Sequence, residues 1–148
     1  MVDRLDETVG GRLRRVGQRY TNGRRTLIGV LAGTDRPLAL PDILGISPSL
    51  TQSSVYRNLA VLEQAGVVHR VSTAGEFSRY ELAEDLTEHH HHLVCVGCGS
   101  VADVVVPRRV EEAVQKAAIE LAGDAGFTLE GHRLDLVGRC ADCSPVSG

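Results

Sequence analysis

The hydrophobic residues of the first half of the chain recur at the 3.6-residue spacing that is typical of amphipathic helices. In the last helical segment, Val55, Leu59 and Leu62 fall at positions i, i+4 and i+7, and Gly66 takes the C′ position that ends the helix. The pattern predicts four helices before residue 67. Their expected limits are Val9 to Val16, Thr21 (as the cap) to Gly33, Leu40 to Leu44, and Ser49 or Thr51 to Gly66.

After Gly66 the pattern changes to that of β-strands. Val67–Val71 and Phe77–Leu82 flank Ser72–Glu76, a segment that contains a glycine and has the length of a hairpin connection. Three of these four helices followed by such a hairpin predict a winged helix-turn-helix domain over residues 1–82. A small helical domain with an unrelated hairpin fits the periodicity equally well.

The second half of the chain predicts a separate domain that makes the whole protein α+β. Residues 83–88 are polar and acidic, lack a strong period, and are interpreted as a hinge. The expected elements beyond it are strands at His92–Cys95, Val101–Val106 and Phe127–Val137 and an amphipathic helix at Arg109–Ala122. Residues 89–148 are too few to form a hydrophobic core of their own, and their strands leave edges exposed. We therefore expect this domain to pair with a second copy.

Composition and charge restrict the class of protein. With 43% hydrophobic and 24% charged residues, the chain is typical of folded globular proteins. No run approaches the roughly 18 apolar residues of a membrane span, and the first residues lack a secretory pattern, so we expect a cytoplasmic protein with reduced thiols. The net charge of −3 divides into +4 over residues 1–80 and −7 over residues 81–148, which suits a first half that contacts a polyanion.

The four cysteines form two C-x-x-C pairs, Cys95 with Cys98 and Cys140 with Cys143. Four thiolates spaced in this way can close a tetrahedral Zn²⁺ site that has no open position. Two separate redox pairs or a disulfide framework are the alternatives. Because every cysteine of the chain is used, we predict a structural zinc site that joins two distant segments.

A run of four histidines, His89 to His92, lies just before the first cysteine pair. In an extended segment, neighbouring side chains point to opposite faces, so His90 and His92 share one face while His89 and His91 share the other. The run can therefore serve two metal sites, whereas an expression tag or a solvated cluster are the alternatives. The candidate partners are the remaining histidines and the nearby carboxylates: His69, His132, Glu81, Glu84, Asp85, Glu88, Asp103, Glu111 and Glu112.

The helix that buries Val55 exposes a set of polar residues elsewhere on its surface. They are Gln52, Ser53, Tyr56 and Arg57. These residue types suit the base edges and phosphates of a DNA major groove. The same composition is compatible with an ordinary amphipathic helix.

Several motifs, in order from about residue 14 to residue 143, resemble those of the ferric uptake regulator superfamily. The segment Arg19-Tyr-Thr-Asn-Gly-Arg24 resembles its R-x-T-x-x-R motif, and Ser54-Val-Tyr-Arg-Asn-Leu59 resembles its T-V-Y-R-x-L recognition helix. The histidine run, both cysteine pairs and Gly131-His132-Arg133-Leu134 complete the resemblance. It implies an N-terminal winged helix, a hinge, and a C-terminal α/β dimerisation domain.

The resemblance also implies roles for individual residues. A regulatory metal site at the hinge would use Glu81, His90, His92 and Asp103, and His69 is proposed as a substitute for a ligand that many members supply from another loop. A secondary site would use His89, His91, Glu111 and His132. Structural zinc would bind Cys95, Cys98, Cys140 and Cys143. The DNA-binding candidates are Arg19, Arg24, Gln52, Ser53, Tyr56 and Arg57.

The expected function is that of a metal-responsive repressor that binds a palindromic operator as a homodimer. Its cofactors would be structural Zn²⁺ and a regulatory divalent metal, Fe²⁺, Zn²⁺, Mn²⁺ or Ni²⁺, among which nitrogen and oxygen ligands discriminate little. A peroxide-sensing repressor of the same superfamily is an alternative. A metal-binding module without DNA binding and a metalloenzyme are further ones, but the sequence has no H-E-x-x-H motif and we assign no catalytic residue.

Overall fold

The computed structural model describes residues 2–72, 77–87 and 89–144 of the chain. Its first part contains four helices and a two-residue strand: α1 (Val2–Arg15), α2 (Asn22–Ala32), β1 (Leu38–Ala39), α3 (Leu40–Ile46) and α4 (Gln52–Gln64). The four predicted helices are confirmed, although α1 begins well before the predicted Val9. The hydroxyl groups of Thr21 and Thr51 accept hydrogen bonds from the backbone N–H groups of Arg24 and Ser54, which fixes the starts of α2 and α4.

The helices share one hydrophobic core with the strands that follow them. Gly66 adopts a φ of +75°, a left-handed conformation that ends the segment after α4 and that glycine adopts without strain. The fully buried side chains come from every helix of this part. They include Val9, Leu13, Leu27, Ile28, Ile43, Val55, Leu59, Leu62 and Val67.

The predicted hairpin is present as β2 (Val68–Val71) and β3 (Arg79–Leu82). The two strands pair with each other in antiparallel orientation. Strand β1 pairs with the other edge of β3, also antiparallel, which gives the order β1-β3-β2. The strand β1 was missed because two residues carry no periodicity. Residues 73–76 of the predicted connection lie outside the described residues. Four helices that pack on a small sheet with this order make the winged helix predicted from the sequence.

A short 3-10 turn, Glu84–Leu86, follows β3 inside the segment predicted as a hinge. We refer to it as the hinge turn. It is closed by backbone hydrogen bonds from Leu86 N to Ala83 O (2.9 Å) and from Thr87 N to Glu84 O (3.1 Å). Glu88, which belongs to the predicted hinge, lies outside the described residues.

The last part of the chain is a second three-stranded sheet and a long helix. β4 (His91–Cys95) is the central strand, with β5 (Val101–Val104) antiparallel on one side and β6 (Asp135–Gly138) parallel on the other. The predicted strand region Phe127–Val137 was too broad, because only its end pairs with β4. Helix α5 (Arg108–Asp124) confirms the predicted helix and buries none of its described residues. Among the described residues, no helix is long and apolar enough to cross a membrane.

Candidate metal centres and nucleic-acid interface

The four cysteines converge on one point at the end of the second sheet. Their Sγ atoms all lie within 4.8 Å of one another, and the Sγ atoms of Cys98 and Cys140 are 3.8 Å apart. All four are free thiols, and the backbone N–H of Cys140 donates a hydrogen bond to Cys95 Sγ at 3.3 Å. This and other backbone N–H groups lower the pKa of the Cys95 thiol to about 6, which favours the thiolate form that binds zinc.

Gly97 lets the two cysteine pairs approach each other. A Cβ atom at this position would lie 2.9 Å from both the Cβ and the Sγ of Cys143, which is shorter than a van der Waals contact. A residue with a side chain would therefore push the second pair away from the first. The backbone geometry and the sulfur ligands together fit a closed tetrahedral zinc site.

The second cluster joins the winged helix to the second sheet. Glu81 comes from β3, His92 from β4 and Asp103 from β5, while His90 directly precedes β4. Their ligand atoms lie within 4.8 Å of one another. Glu81 Oε2 is 3.0 Å from His90 Nε2, and Glu81 Oε1 is 2.9 Å from His92 Nε2. Asp103 Oδ1 is 3.5 Å from His92 Nε2.

The arrangement of atoms in this cluster fits a bound cation. Within the described residues, the buried atoms His92 Nε2 and Asp103 Oδ1 do not form a hydrogen bond with each other, and the near neighbour of His92 Nε2 is the Glu81 carboxylate at 2.9 Å. The ligand atoms therefore converge on one point. The opposite ring nitrogen, His92 Nδ1, lies 3.3 Å from Asp135 Oδ1. A histidine that ligates a metal commonly has its second ring nitrogen held by a carboxylate in this way.

Burial and neighbouring charges shift the pKa values of the side chains in this cluster. Burial opposes ionisation of Glu81, but its contacts with His92 and His90 outweigh that effect and lower its pKa. The contact with Glu81 raises the pKa of His92, whereas burial raises the pKa of Asp103. A divalent cation would offset the repulsion between the two carboxylates and compete with protons for His92.

The third cluster lies on the opposite face of the histidine run. His89, His91, Glu111 and His132 place their ligand atoms within 4.8 Å of one another. The Glu111 carboxylate is 2.5 Å from the Nε2 atoms of both His89 and His132 and 2.6 Å from that of His91. His132 Nδ1 lies 2.8 Å from the side-chain oxygen of Gln115, so the other ring nitrogen faces Glu111. This set of three imidazoles and one carboxylate suits Zn²⁺ or another divalent transition metal.

His69 lies outside these clusters. It is on β2, directly opposite Glu81 on β3, but its Nε2 atom accepts a hydrogen bond from Arg133 Nη1 at 2.9 Å. Burial first, and then the Arg133 charge, lower the pKa of His69. The role of His69 as a metal ligand stays a prediction, because the ligand atoms that converge in the second cluster are those of Glu81, His90, His92 and Asp103.

Five of the six residues predicted to contact DNA have exposed side chains. Gln52, Ser53, Tyr56 and Arg57 are all exposed on α4. Arg19 is also exposed. Arg24 differs, since its Nε donates to Asn58 Oδ1 at 3.1 Å and its Nη1 donates to the backbone oxygen of Arg19 at 2.7 Å. Arg24 therefore links α4 to the residues before α2.

The side chains that hold histidines of the second and third clusters in place were not assigned from the sequence. They are Glu84, Gln115 and Asp135, which contact Nδ1 of His89, His132 and His92 in that order. Glu84 was noted only as one of several nearby carboxylates. The spacing of a motif gives no signal for Gln115 or Asp135, because each lies at least 17 residues from its histidine.

The structure is a winged helix that is joined, through a cluster of histidines and carboxylates, to a sheet that carries four cysteines. This combination defines a metal-responsive regulator of transcription. The sequence model of the Ferric uptake regulator family matches residues 15–137. The chain belongs to this family, whose members are regulators of transcription and not enzymes.

Individual relatives agree with this assignment. The chain is 33% identical over 138 residues to the ferric uptake regulation protein of Campylobacter jejuni, with 89% of this chain and 83% of that protein covered. It is 29% identical over 136 residues to the peroxide operon regulator of Bacillus subtilis, with 89% and 88% covered. The solved structure of the ferric uptake regulator of Helicobacter pylori has a TM-score of 0.76 at 22% identity, covers 100% of this chain and 97% of its own, and shows the same fold.

Proposed function

We propose that the chain is a homodimeric repressor that binds a palindromic DNA operator when the cluster of Glu81, His90, His92 and Asp103 holds a divalent metal. The observation that carries the proposal is that one carboxylate of this cluster lies on the wing and the other three ligands lie beyond the hinge. A ligand that binds one relative orientation of the two parts better than others shifts the population toward it.

The free energy available from metal binding is large compared with the free energy that such a shift requires. Moving a two-state equilibrium from mostly open to mostly closed requires about 5.5 kcal/mol of differential binding. Binding of zinc to small structural sites reaches roughly 10–16 kcal/mol. In a dimer, the shared orientation would set the distance between two copies of α4, and therefore the spacing of the half-sites that they contact.

Exposed apolar side chains of α5, of the residues just after it and of β6 support the homodimer. Leu121 is 71% exposed, Phe127 is 75% exposed and Val137 is 67% exposed. Large apolar side chains left exposed in this number are typical of a part of a protein that packs against a partner. A second copy would cover these side chains and would complete the small second domain.

The proposal is tested by DNA binding of the EDTA-treated protein, with Fe²⁺, Mn²⁺, Ni²⁺ and Zn²⁺ restored separately without oxygen. We expect a metal to restore binding to operator DNA, and a His90→Ala variant to require far more of it. An Arg57→Ala variant should keep its metal content and lose DNA binding. Equal binding by the His90→Ala protein without added metal would contradict the hinge mechanism.

Peroxide sensing is the second candidate function, favoured by the similarity to the peroxide operon regulator of Bacillus subtilis. The two histidines beside Glu81 would be the targets of oxidation if the metal held there is Fe²⁺. Mass spectrometry of the Fe²⁺-loaded protein after exposure to peroxide tests this. Addition of an oxygen atom to His90 or His92, with loss of DNA binding, would support peroxide sensing; unmodified histidines would exclude it.

A further inference from the structure

Two consecutive carboxylates of the hinge turn contact opposite parts of the molecule. Asp85 forms an ion pair with the guanidinium group of Arg12 on α1, and Arg12 Nη1 also donates to the backbone oxygen of Gly66 at 2.7 Å. Glu84 contacts Nδ1 of His89, a member of the third cluster. The hinge turn is therefore attached to the winged helix on one side and to a metal-binding cluster on the other.

The contact between Glu84 and His89 determines which ring nitrogen faces the cluster. His89 Nε2 lies 2.5 Å from Glu111 Oε1, while Nδ1 faces Glu84. A carboxylate that accepts the Nδ1 proton leaves the Nε2 lone pair free for a metal and makes the imidazole a stronger ligand. Gln115 does the same for His132, but Gln115 is part of α5, whereas Glu84 belongs to the hinge.

The geometry points to Glu84 as a positioning residue that couples the His89, His91, Glu111 and His132 cluster to the hinge. This inference rests on the proposed function and adds a second metal-dependent control of the same hinge. A divalent metal held by the cluster fixes the His89 ring, and the fixed ring holds Glu84 in place. Because Asp85 is paired with Arg12, ordering the hinge turn also restricts the position of α1 relative to that turn.

The hinge turn needs such anchors because it has little structure of its own. It is a single 3-10 turn with exposed Glu84 and Asp85 side chains, and of its three residues only the half-buried Leu86 packs against the core. Segments of this kind open locally at a low cost in free energy. By linkage, anything that orders the turn also strengthens binding of metal at the cluster by the same factor.

The test uses the full chain with its zinc retained and with His90→Ala to weaken the hinge metal site. Co²⁺ is the probe, since its visible absorption reports its ligands. Binding is followed by absorption, and order in the hinge is followed by hydrogen–deuterium exchange of residues 83–87 with and without Co²⁺. Three further variants are compared in this background: Glu84→Ala, Glu84→Gln and, as the matched control, Glu112→Ala.

We expect Glu84→Ala to weaken Co²⁺ binding by about 10–100-fold, as for other residues that hold a ligating histidine, and to abolish the protection of residues 83–87 that saturating Co²⁺ confers. Glu84→Gln retains an oxygen acceptor and should keep most of both effects. Glu112 pairs with Arg108 on the exposed face of α5, so its variant should match the parent. The Glu84 side chain is 43% exposed, so its removal leaves the core intact.

An unchanged Co²⁺ affinity in Glu84→Ala, or full metal-dependent protection of its hinge, would overturn the inference. Equal changes in exchange with and without Co²⁺ would also overturn it, because they indicate a purely structural role. The operator assay on the chain with His90 intact is independent of these results. Its failure would reject the proposed repressor function, whereas the exchange experiment alone decides the role of Glu84.

Discussion

Arg79 on the wing strand β3 donates a hydrogen bond from Nε to the backbone oxygen of Gly99 at 2.9 Å. Gly99 closes the turn that carries Cys95 and Cys98, so this contact connects the winged helix directly to the cysteine cluster. The same guanidinium group lies 3.4 Å from Asp42 on α3. The position of the winged helix relative to the second sheet thus depends on the cysteine turn as well as on the second and third clusters.

We predict that Arg79→Ala lowers the free energy of unfolding by about 1.5–3 kcal/mol, because a largely buried charged donor and its acceptors lose their partner. Arg36 is the matched control, since it contacts the same Asp42 at 3.8 Å from a side chain that is 48% exposed. Arg36→Ala should cost less than about 1 kcal/mol. Urea unfolding monitored by circular dichroism measures both, and equal losses would show that the contact with Gly99 contributes nothing.

Gly97→Ala should weaken retention of zinc by the four cysteines. Its Cβ would overlap the Cβ and Sγ of Cys143, so the second cysteine pair must move away from the first. Gly45→Ala is the control, because nothing lies within 4 Å of a Cβ there and alanine favours the helix by roughly 0.5–1 kcal/mol. Zinc content after dialysis against a chelator measures the effect, and equal zinc content in the two variants would contradict the steric argument.

The ion pair between Arg12 and Asp85 should make a small contribution to stability that depends on pH. The hydrogen bond from Arg12 lowers the pKa of the Asp85 carboxyl below its ordinary value. Stabilisation from a lowered pKa is fully present above the unfolded-state pKa of about 3.9 and is lost as the pH falls through the folded-state value.

Asp85→Asn should therefore reduce the free energy of unfolding by less than about 1 kcal/mol at pH 7, since the carboxylate is exposed and screened. The difference from the unaltered protein should persist down to about pH 4 and disappear below it. Urea unfolding at a series of pH values provides the measurement. A difference that grows as the pH falls would contradict the assigned sign.

Leu121→Asp should convert the proposed homodimer into a monomer. The side chain is 71% exposed on α5, and a charge there would be buried without a partner in an apolar interface. Glu120→Gln, next to it on the same helix, should leave the oligomeric state unchanged. Light scattering after size-exclusion chromatography gives the mass, and a dimer in both variants would place the interface elsewhere.

Much of the fold could be predicted because its signals are local. The spacing of Val55, Leu59 and Leu62 predicted α4, and the structure places all three in the core. The threonine that caps this helix and the glycine that ends it act within one turn of the chain. The predicted start of β6 at Phe127 was wrong, because only residues 135–138 pair with β4 and the loop before them has no distinct pattern.

The sequence by itself determined which residues could meet around a metal. The alternation of side chains in an extended segment separates His90 and His92 from His89 and His91, and two cysteine pairs predict one closed site. The structure brings the four cysteines together, and it brings each pair of histidines together with the expected carboxylates.

Only the tertiary structure decided which residues hold the histidines in place and which ones join the two parts of the molecule. The contacts of Asp135 with His92, of Arg133 with His69 and of Arg79 with Gly99 join residues that are 20 to 64 positions apart. No periodicity encodes such contacts, because they depend on how the hinge turn and the two sheets pack. Glu84 shows the same limit at short range, since its contact with His89 arises from the direction that the hinge turn gives its side chain.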